Sequence, residues 1–198
     1  MNENERMFQK QLRDCGTDVD NLNAYNEWKP TSPKVQHLMD LINLMFQEDL
    51  RILTVAGKQG SGKTFTVAAG VQNRLKEDFC NNKLLTEVAR FLTHAELDMA
   101  YKECMNPKAT KTQTEVYRTF SSIPILVVDE VGRGSWSEYS EQFIENVISK
   151  RYANRLKTIL ITNKTVTELA KMFDANIIDR MSNSKTGCVF ALDGETQR

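Results

Sequence analysis

The chain has 198 residues, 40% hydrophobic and 26% charged, which is enough for one sizeable domain and too little for two comfortable ones. Lys plus Arg and Asp plus Glu both number 26, so a zero formal net charge excludes any global electrostatic case for a polyanion or membrane partner. Cys15, Cys80, Cys104 and Cys188 lack C-x-x-C spacing, which excludes a cysteine-built zinc site or disulfide framework as the reading and suits a reducing cytosol.

The first residues, Met1-Asn2-Glu3-Asn4-Glu5, are acidic and polar, and no uninterrupted apolar run approaches membrane-spanning length, so a cytoplasmic protein is expected. Residues 1–33 read as a polar lead-in ahead of one domain over 34–198. Within it Met7, Phe8 and Leu12 suggest a short helix; Phe8 and Leu12 share a face that could dock a partner or pack on the main domain. Thr31-Ser32-Pro33 is a helix start, and Val35, Leu38, Met39, Ile42, Met45 and Phe46 recur at helical spacing through position 48.

A short, β-branched strand is predicted over 51–56. It runs into Gly57-Lys58-Gln59-Gly60-Ser61-Gly62-Lys63-Thr64, which fills G-x-x-x-x-G-K-[ST], and 65–76 then reads as a helix. Strand, glycine-rich loop and helix make an anion cradle: the glycines permit a tight turn with inward N–H groups, and the helix adds its positive end. Gly57, Gly60, Ser61, Gly62, Lys63, Thr64 and Phe65 are therefore the candidate nucleotide-binding residues, Lys63 reaching the β/γ-phosphates and Thr64 offering its hydroxyl to Mg²⁺.

After a turn at 80–83, a second strand is predicted over 84–89 and helices over 91–105 and 110–120. Pro124 opens Ile125-Leu126-Val127-Val128-Asp129-Glu130, a run expected of a parallel strand buried on both faces. A loop over 132–135, a helix over 139–156, a strand over 158–163, short helices over 165–173 and 175–181, and a strand over 188–192 complete the chain. Strands alternating with helices predict an α/β domain with a parallel sheet, its ligands at the carboxyl ends of the strands.

Polar groups close the later strands. Asp129 is placed to hold the Mg²⁺ shell and Glu130 to take a proton from an attacking water, the pair that phosphoryl transfer to water requires. Asn163 would reach between these acids and a γ-phosphate if its strand lies beside the phosphate-loop strand; alone, it also reads as a turn former or helix cap. Arg180 could supply transition-state charge from a neighbouring copy, or could pair with Asp174 or Asp179.

The order of these parts resembles the AAA+ ATPases, and within them the DnaC/DnaI-type replicative helicase loaders and the related IstB-like transposition helpers. The resemblance covers about residues 20–193 and rests on the phosphate loop as Walker A, Leu126-Val127-Val128-Asp129-Glu130-Val131-Gly132 as Walker B, residues 151–163 ending in Asn163 as sensor 1, and Ile177-Ile178-Asp179-Arg180-Met181, where Arg180 matches the arginine finger. It implies a P-loop NTPase (AAA+) fold with a five-stranded parallel sheet sandwiched by helices, a Mg²⁺-dependent ATPase using ATP, self-association through the ATP site, and a replicative helicase and single-stranded DNA as partners. Residues 91–120 have room for the extra helix these loaders carry.

The chain also departs from that pattern. The ATPase begins almost at once, leaving residues 1–33, an ATPase surface or a second protein to supply helicase binding. Little chain follows the fifth strand, so the helical lid is expected to be reduced or absent, and Arg198 is given no sensor 2 role. Tyr101, Lys102, Lys108, Lys111, Tyr117 and Arg118 could serve single-stranded DNA, but Glu96, Asp98, Glu103 and Glu115 lie among them and suit a solvated face equally. Three other readings stay open: a transposition helper on duplex DNA, an ATP-switched module that captures a host helicase or loader, and a small-molecule kinase, against which 163–181 lacks an arginine-rich lid. A stand-alone core of this kind suits a phage or mobile element.

Overall fold

The computed structural model describes residues 2–134 and 137–192. Its centre is a five-stranded sheet of β1 (Ile52–Ala56), β2 (Ala89–Thr93), β3 (Ile125–Val131), β4 (Lys157–Thr162) and β5 (Gly187–Ala191). All pairings are parallel and the order is β2-β3-β4-β1-β5. Side chains alternate along each strand, so Leu53, Val55, Val127, Ile159 and Ile161 enter one core while Ile52, Leu126, Val128 and Leu160 enter the other. Such strands read as continuous apolar runs because both faces are covered.

The first face is covered by α1 (Glu3–Asp14), α2 (Ala24–Glu27), α3 (Pro33–Gln47) and α4 (Lys63–Cys80). Gly70 lets α3 approach α4 closely, since a Cβ there would lie 2.7 Å from Ile42 Cγ2. The second face carries α5 (His94–Glu103), α6 (Gln113–Ser122), α7 (Glu138–Ala153), α8 (Val166–Met172) and α9 (Ala175–Ser182). Asn2 with Glu5, Thr93 with Glu96, Thr112 with Glu115, and Thr165 with Glu168 form reciprocal capping boxes that define where α1, α5, α6 and α8 begin.

One of those caps corrects the sequence reading. The second strand, expected over 84–89, runs over Ala89–Thr93, and the helix expected from 91 starts at His94. The Thr93–Glu96 box stops helix from propagating back into Phe91 and Leu92, whose backbone pairs with Val127 and Val128 instead. Leu85–Glu87 is a 3₁₀ turn, and the Leu85 N–H is taken by Gln11 Oε1 at 2.9 Å.

The N-terminal segment covers the outer edge of β2. Phe8 and Leu12 are buried in the first core. Phe91 N–H donates to Cys15 O at 2.8 Å and Arg90 Nη1 to Asp14 O at 2.7 Å. Gly16, at φ 92°, makes the contact possible, because a Cβ would lie 2.0 Å from Phe91 O. On the other side of the segment the fully buried Gln72 of α4 donates to Asn21 O and accepts from Tyr25 N–H, and Trp28 Nε1 donates to Thr66 Oγ1. An open strand edge is thus closed by the chain's own backbone.

Arg151 of α7 is fully buried. Nε donates to Thr158 Oγ1, Nη1 to the carbonyls of Phe120 and Ile123, and Nη2 to those of Pro124 and Lys157. Burial pulls its guanidinium down to about 9, still charged at neutral pH. The group donates to carbonyls where α6 ends and where β3 and β4 begin, so its removal takes a donor from four carbonyls and a hydroxyl at once, of which Pro124 O keeps the Lys157 N–H. Arg151→Met is expected to cost about 3 kcal/mol or more. Urea denaturation monitored by circular dichroism checks this; a loss below about 1 kcal/mol would show that the carbonyls find other partners.

Candidate active site

The phosphate loop leaves β1 at its carboxyl end and returns as the first turn of α4. Gly57, Gly60 and Gly62 have φ values of 152°, 79° and 85°, which other residues adopt with strain. At Gly57 a Cβ would also meet Leu192 O at 2.3 Å, so the turn is packed against the end of β5. Gly62 is the N-cap of α4 and supplies no side-chain cap, so the first turn of the helix, at Lys63, Thr64 and Phe65, suits an anion.

Lys63 is buried. Its Nζ donates to Gly57 O and Lys58 O, each at 2.8 Å, and to Asn163 Oδ1 at 2.9 Å, with Ser61 Oγ at 3.5 Å. Burial holds its ammonium below the usual lysine value, and Asp129 opposes that shift. Thr64 Oγ1 donates to Asp129 Oδ2 at 2.7 Å, so the two groups expected to hold a metal already touch. The sheet order puts β4 between β1 and β3, and Asn163, just after β4, lies on Lys63.

Glu130 sits on a distorted backbone. The β3–β4 register shifts between Val128 and Val131, and Glu130 has φ 55°. Asp129 Oδ1 accepts the Glu130 N–H at 2.6 Å, while the Glu130 carboxylate contacts Arg133. Bulges re-aim side chains, and this one turns Glu130 out of the strand alternation toward solvent. Two buried groups beyond the sequence reading hold it. Thr162 Oγ1 donates to Val131 O at 2.6 Å, and His94 Nδ1 accepts Gly132 N–H at 3.2 Å. The Thr93-x-x-Glu96 box was the signal available for His94, since it marks position 94 as the turn from strand to helix.

Arg180 is not in this cluster. Nη1 donates to Ser149 Oγ at 2.7 Å, and the guanidinium lies 5.2 Å from the Tyr152 ring centroid. Tyr152 in turn bonds Thr186 Oγ1 and stacks with Arg51, residues preceding β5 and β1, so Arg180 is at the amino end of the sheet, opposite its own phosphate loop. Among the ion pairs of the described residues, none joins it to Asp174 or Asp179. In the α5–α6 region, Lys102 pairs with Asp98 and Tyr101 stacks with Phe143 in the core. Ser135 of the expected loop, and Arg198, lie outside the described residues.

The IstB-like ATP binding protein family model matches residues 2–184. The chain belongs to this family. The replicative helicase loader DnaC of Escherichia coli K12 is 26% identical over 137 residues, 69% of this chain and 52% of that protein. DnaC of Buchnera aphidicola subsp. Baizongia pistaciae is 25% identical over 136 residues, with the same shares. The chain spans about half the length of these curated relatives. Its fold is similar to a crystal structure of the DnaC helicase loader (TM-score 0.71, 19% identity, covering 88% of this chain and 99% of that one) and to DnaI (0.65, 16%, 94% and 93%). It is also similar to the replication initiator DnaA bound to AMPPCP and single-stranded DNA (0.69, 14%, 90% and 51%). The fold is an AAA+ P-loop NTPase fold. Its cradle and the Thr64–Asp129 pair suit a nucleoside triphosphate with Mg²⁺, an oxygen-seeking cation. Among the described residues, no helix is long and apolar enough to cross a membrane.

His94 makes the site's framework sensitive to acid. Burial holds its imidazole down to about 3, against an ordinary 6.5, with Asp98 opposing the shift. The unfolded chain takes up this proton near pH 6.5 and the folded chain does not until about pH 3. The group's contribution is therefore complete above 6.5 and lost as pH falls toward 3. Between pH 7.5 and 5 it accounts for about 2 kcal/mol of lost stability. His94→Asn, which keeps an acceptor for Gly132, should flatten that part of the slope in urea titrations at the two pH values; an unchanged slope would assign it to other groups.

Proposed function

We propose that this protein is a Mg²⁺-dependent ATPase accessory to DNA replication, which acts in the cytoplasm, assembles side by side with copies of itself and places a replicative helicase on single-stranded DNA. The observation that carries the ATPase reading is the convergence of Lys63, Asn163, Thr64 and Asp129 through two short hydrogen bonds between three strand ends. Gly57, Gly60, Ser61, Gly62, Lys63, Thr64 and Phe65 would line the phosphates. Thr64 and Asp129 would hold Mg²⁺, which supplies neutralisation of phosphate charge when bound.

Glu130 is the general base in this reading: it accepts the proton of the attacking water. Asn163, now bonded to the Lys63 ammonium, orients that water or the terminal phosphate. Arg180 acts on a neighbour's nucleotide. The position of Arg180 at the amino end of its own sheet supports action across a subunit boundary and is incompatible with service to its own phosphate loop. The helicase and single-stranded DNA come to this chain from the DnaC relatives and from the DnaA complex. A second reading, a transposition helper on duplex DNA, is favoured by the family model's IstB-like description.

Arg180→Ala and Glu130→Gln are each expected to lower ATP turnover by about a thousandfold, and mixing them should restore part of it, because one mutant keeps the finger and the other the base. Phosphate release is measured with no DNA, single-stranded DNA and duplex DNA. Full activity of Arg180→Ala would sink the finger, absence of hydrolysis by the unaltered protein would sink the ATPase, and stimulation by duplex alone would favour the transposition helper.

A further inference from the structure

The bulge that carries Glu130 requires more support than β3 itself provides. Its register is broken, Glu130 is in the left-handed region, and Glu130 is three positions from Arg133 at the solvent surface. Left to itself such a segment has several conformations, and a general base must stay within hydrogen-bond reach of one water. The two residues that immediately follow Glu130 in the chain, Val131 and Gly132, are each anchored by a group from a different strand end.

On one side is Thr162, the last residue of β4, only 1% exposed. Its hydroxyl donates to Val131 O at 2.6 Å and accepts from Lys164 N–H at 3.0 Å. It therefore spans the residue after Glu130 and the residue after Asn163. On the other side is His94, the first residue of α5 and 3% exposed, whose Nδ1 accepts Gly132 N–H. Gly132 has φ 84°, a backbone conformation that residues with a side chain adopt with strain, and it packs beside Met172 and Lys164.

We propose that Thr162 and His94 are positioning residues for hydrolysis, clamping Val131 and Gly132 so that Glu130 and the Asn163 turn hold one fixed relation. Neither touches nucleotide; both act through the backbone that carries the base. Thr162 makes the two polar strand ends a single unit, so a phosphate contact that moves Asn163 is transmitted to Glu130 through one hydroxyl. His94 ties that unit to the end of β2, on the far side of β3 from β4.

The inference rests on the ATPase reading, and the experiment separates the two. Turnover, affinity for a fluorescent ATP analogue and exchange of the Gly132 amide are measured for the unaltered protein, Thr162→Val, Thr162→Ser, His94→Leu and His94→Asn. Thr162→Val and His94→Leu should lower kcat at least tenfold, leave analogue affinity within about twofold and expose the Gly132 amide. Thr162→Ser and His94→Asn, which retain the hydroxyl and an acceptor, should recover most of the lost kcat, an outcome that general loosening of the core would not give. If Thr162→Val is too unstable to assay, His94→Gln, whose acceptor sits one methylene farther out, carries the same comparison. Unchanged kcat in the apolar variants of an active enzyme, or equal loss in conservative and apolar variants, overturns the clamp alone. An unaltered protein that binds the analogue but never hydrolyses ATP overturns the ATPase reading and the clamp with it.

Discussion

Parallel strands can pair only if each connection leaves the sheet and returns to the same end, so every strand of this domain finishes on one side. Backbone pairing of β4 between β1 and β3 then decides which polar tails meet. The phosphate loop follows β1, Asp129 and Glu130 lie at the end of β3, and Asn163 follows β4. Lys63 reaches Asn163 because β4 is the neighbour of β1, and Thr64, carried past the strand end on the first turn of α4, reaches Asp129 of β3, the next strand but one. A different strand order would leave the same residues on the same edge but out of contact.

Two cations, Lys63 and Arg151, are buried among oxygens. Lys63 is enclosed by two loop carbonyls and an amide oxygen, Arg151 by four carbonyls and a hydroxyl. Neither depends on a directly bonded carboxylate, so each cation is stabilised by backbone that the fold has already fixed. The two stand at opposite ends of the sheet, Lys63 where phosphates would enter and Arg151 where β3 and β4 begin. His94 reaches the same end differently: it stays neutral and offers a lone pair.

Much of this was legible along the chain because the physics is local. Glycines at 57, 60 and 62 announce a turn with positive φ, apolar runs of five or six residues announce strands covered on both faces, and an acid pair after such a run announces a site. The misplaced second strand has the same kind of cause. Leu84, Leu85 and Val88 offer a competing apolar run ahead of Phe91 and Leu92, and the Thr93–Glu96 cap together with pairing to β3 decides between them. The lead-in's helix was legible in Phe8 and Leu12, but its polar anchors were not, for another reason. Gln72, Gly16 and Trp28 make their contacts with residues tens of positions away, and composition carries no trace of such partners.

By itself the sequence determined the α/β alternation, the phosphate loop and the identity of Asp129, Glu130, Asn163 and Arg180 as chemically capable groups, because spacing and residue type act over a few neighbours. Only the tertiary structure decided the strand order that joins Lys63 to Asn163, the segment that seals β2, the clamp of Thr162 and His94 on Glu130's bulge, and the location of Arg180 away from its own loop. Those are relations between distant residues, and they exist only once burial of two cores has paid the conformational entropy of bringing the chain together.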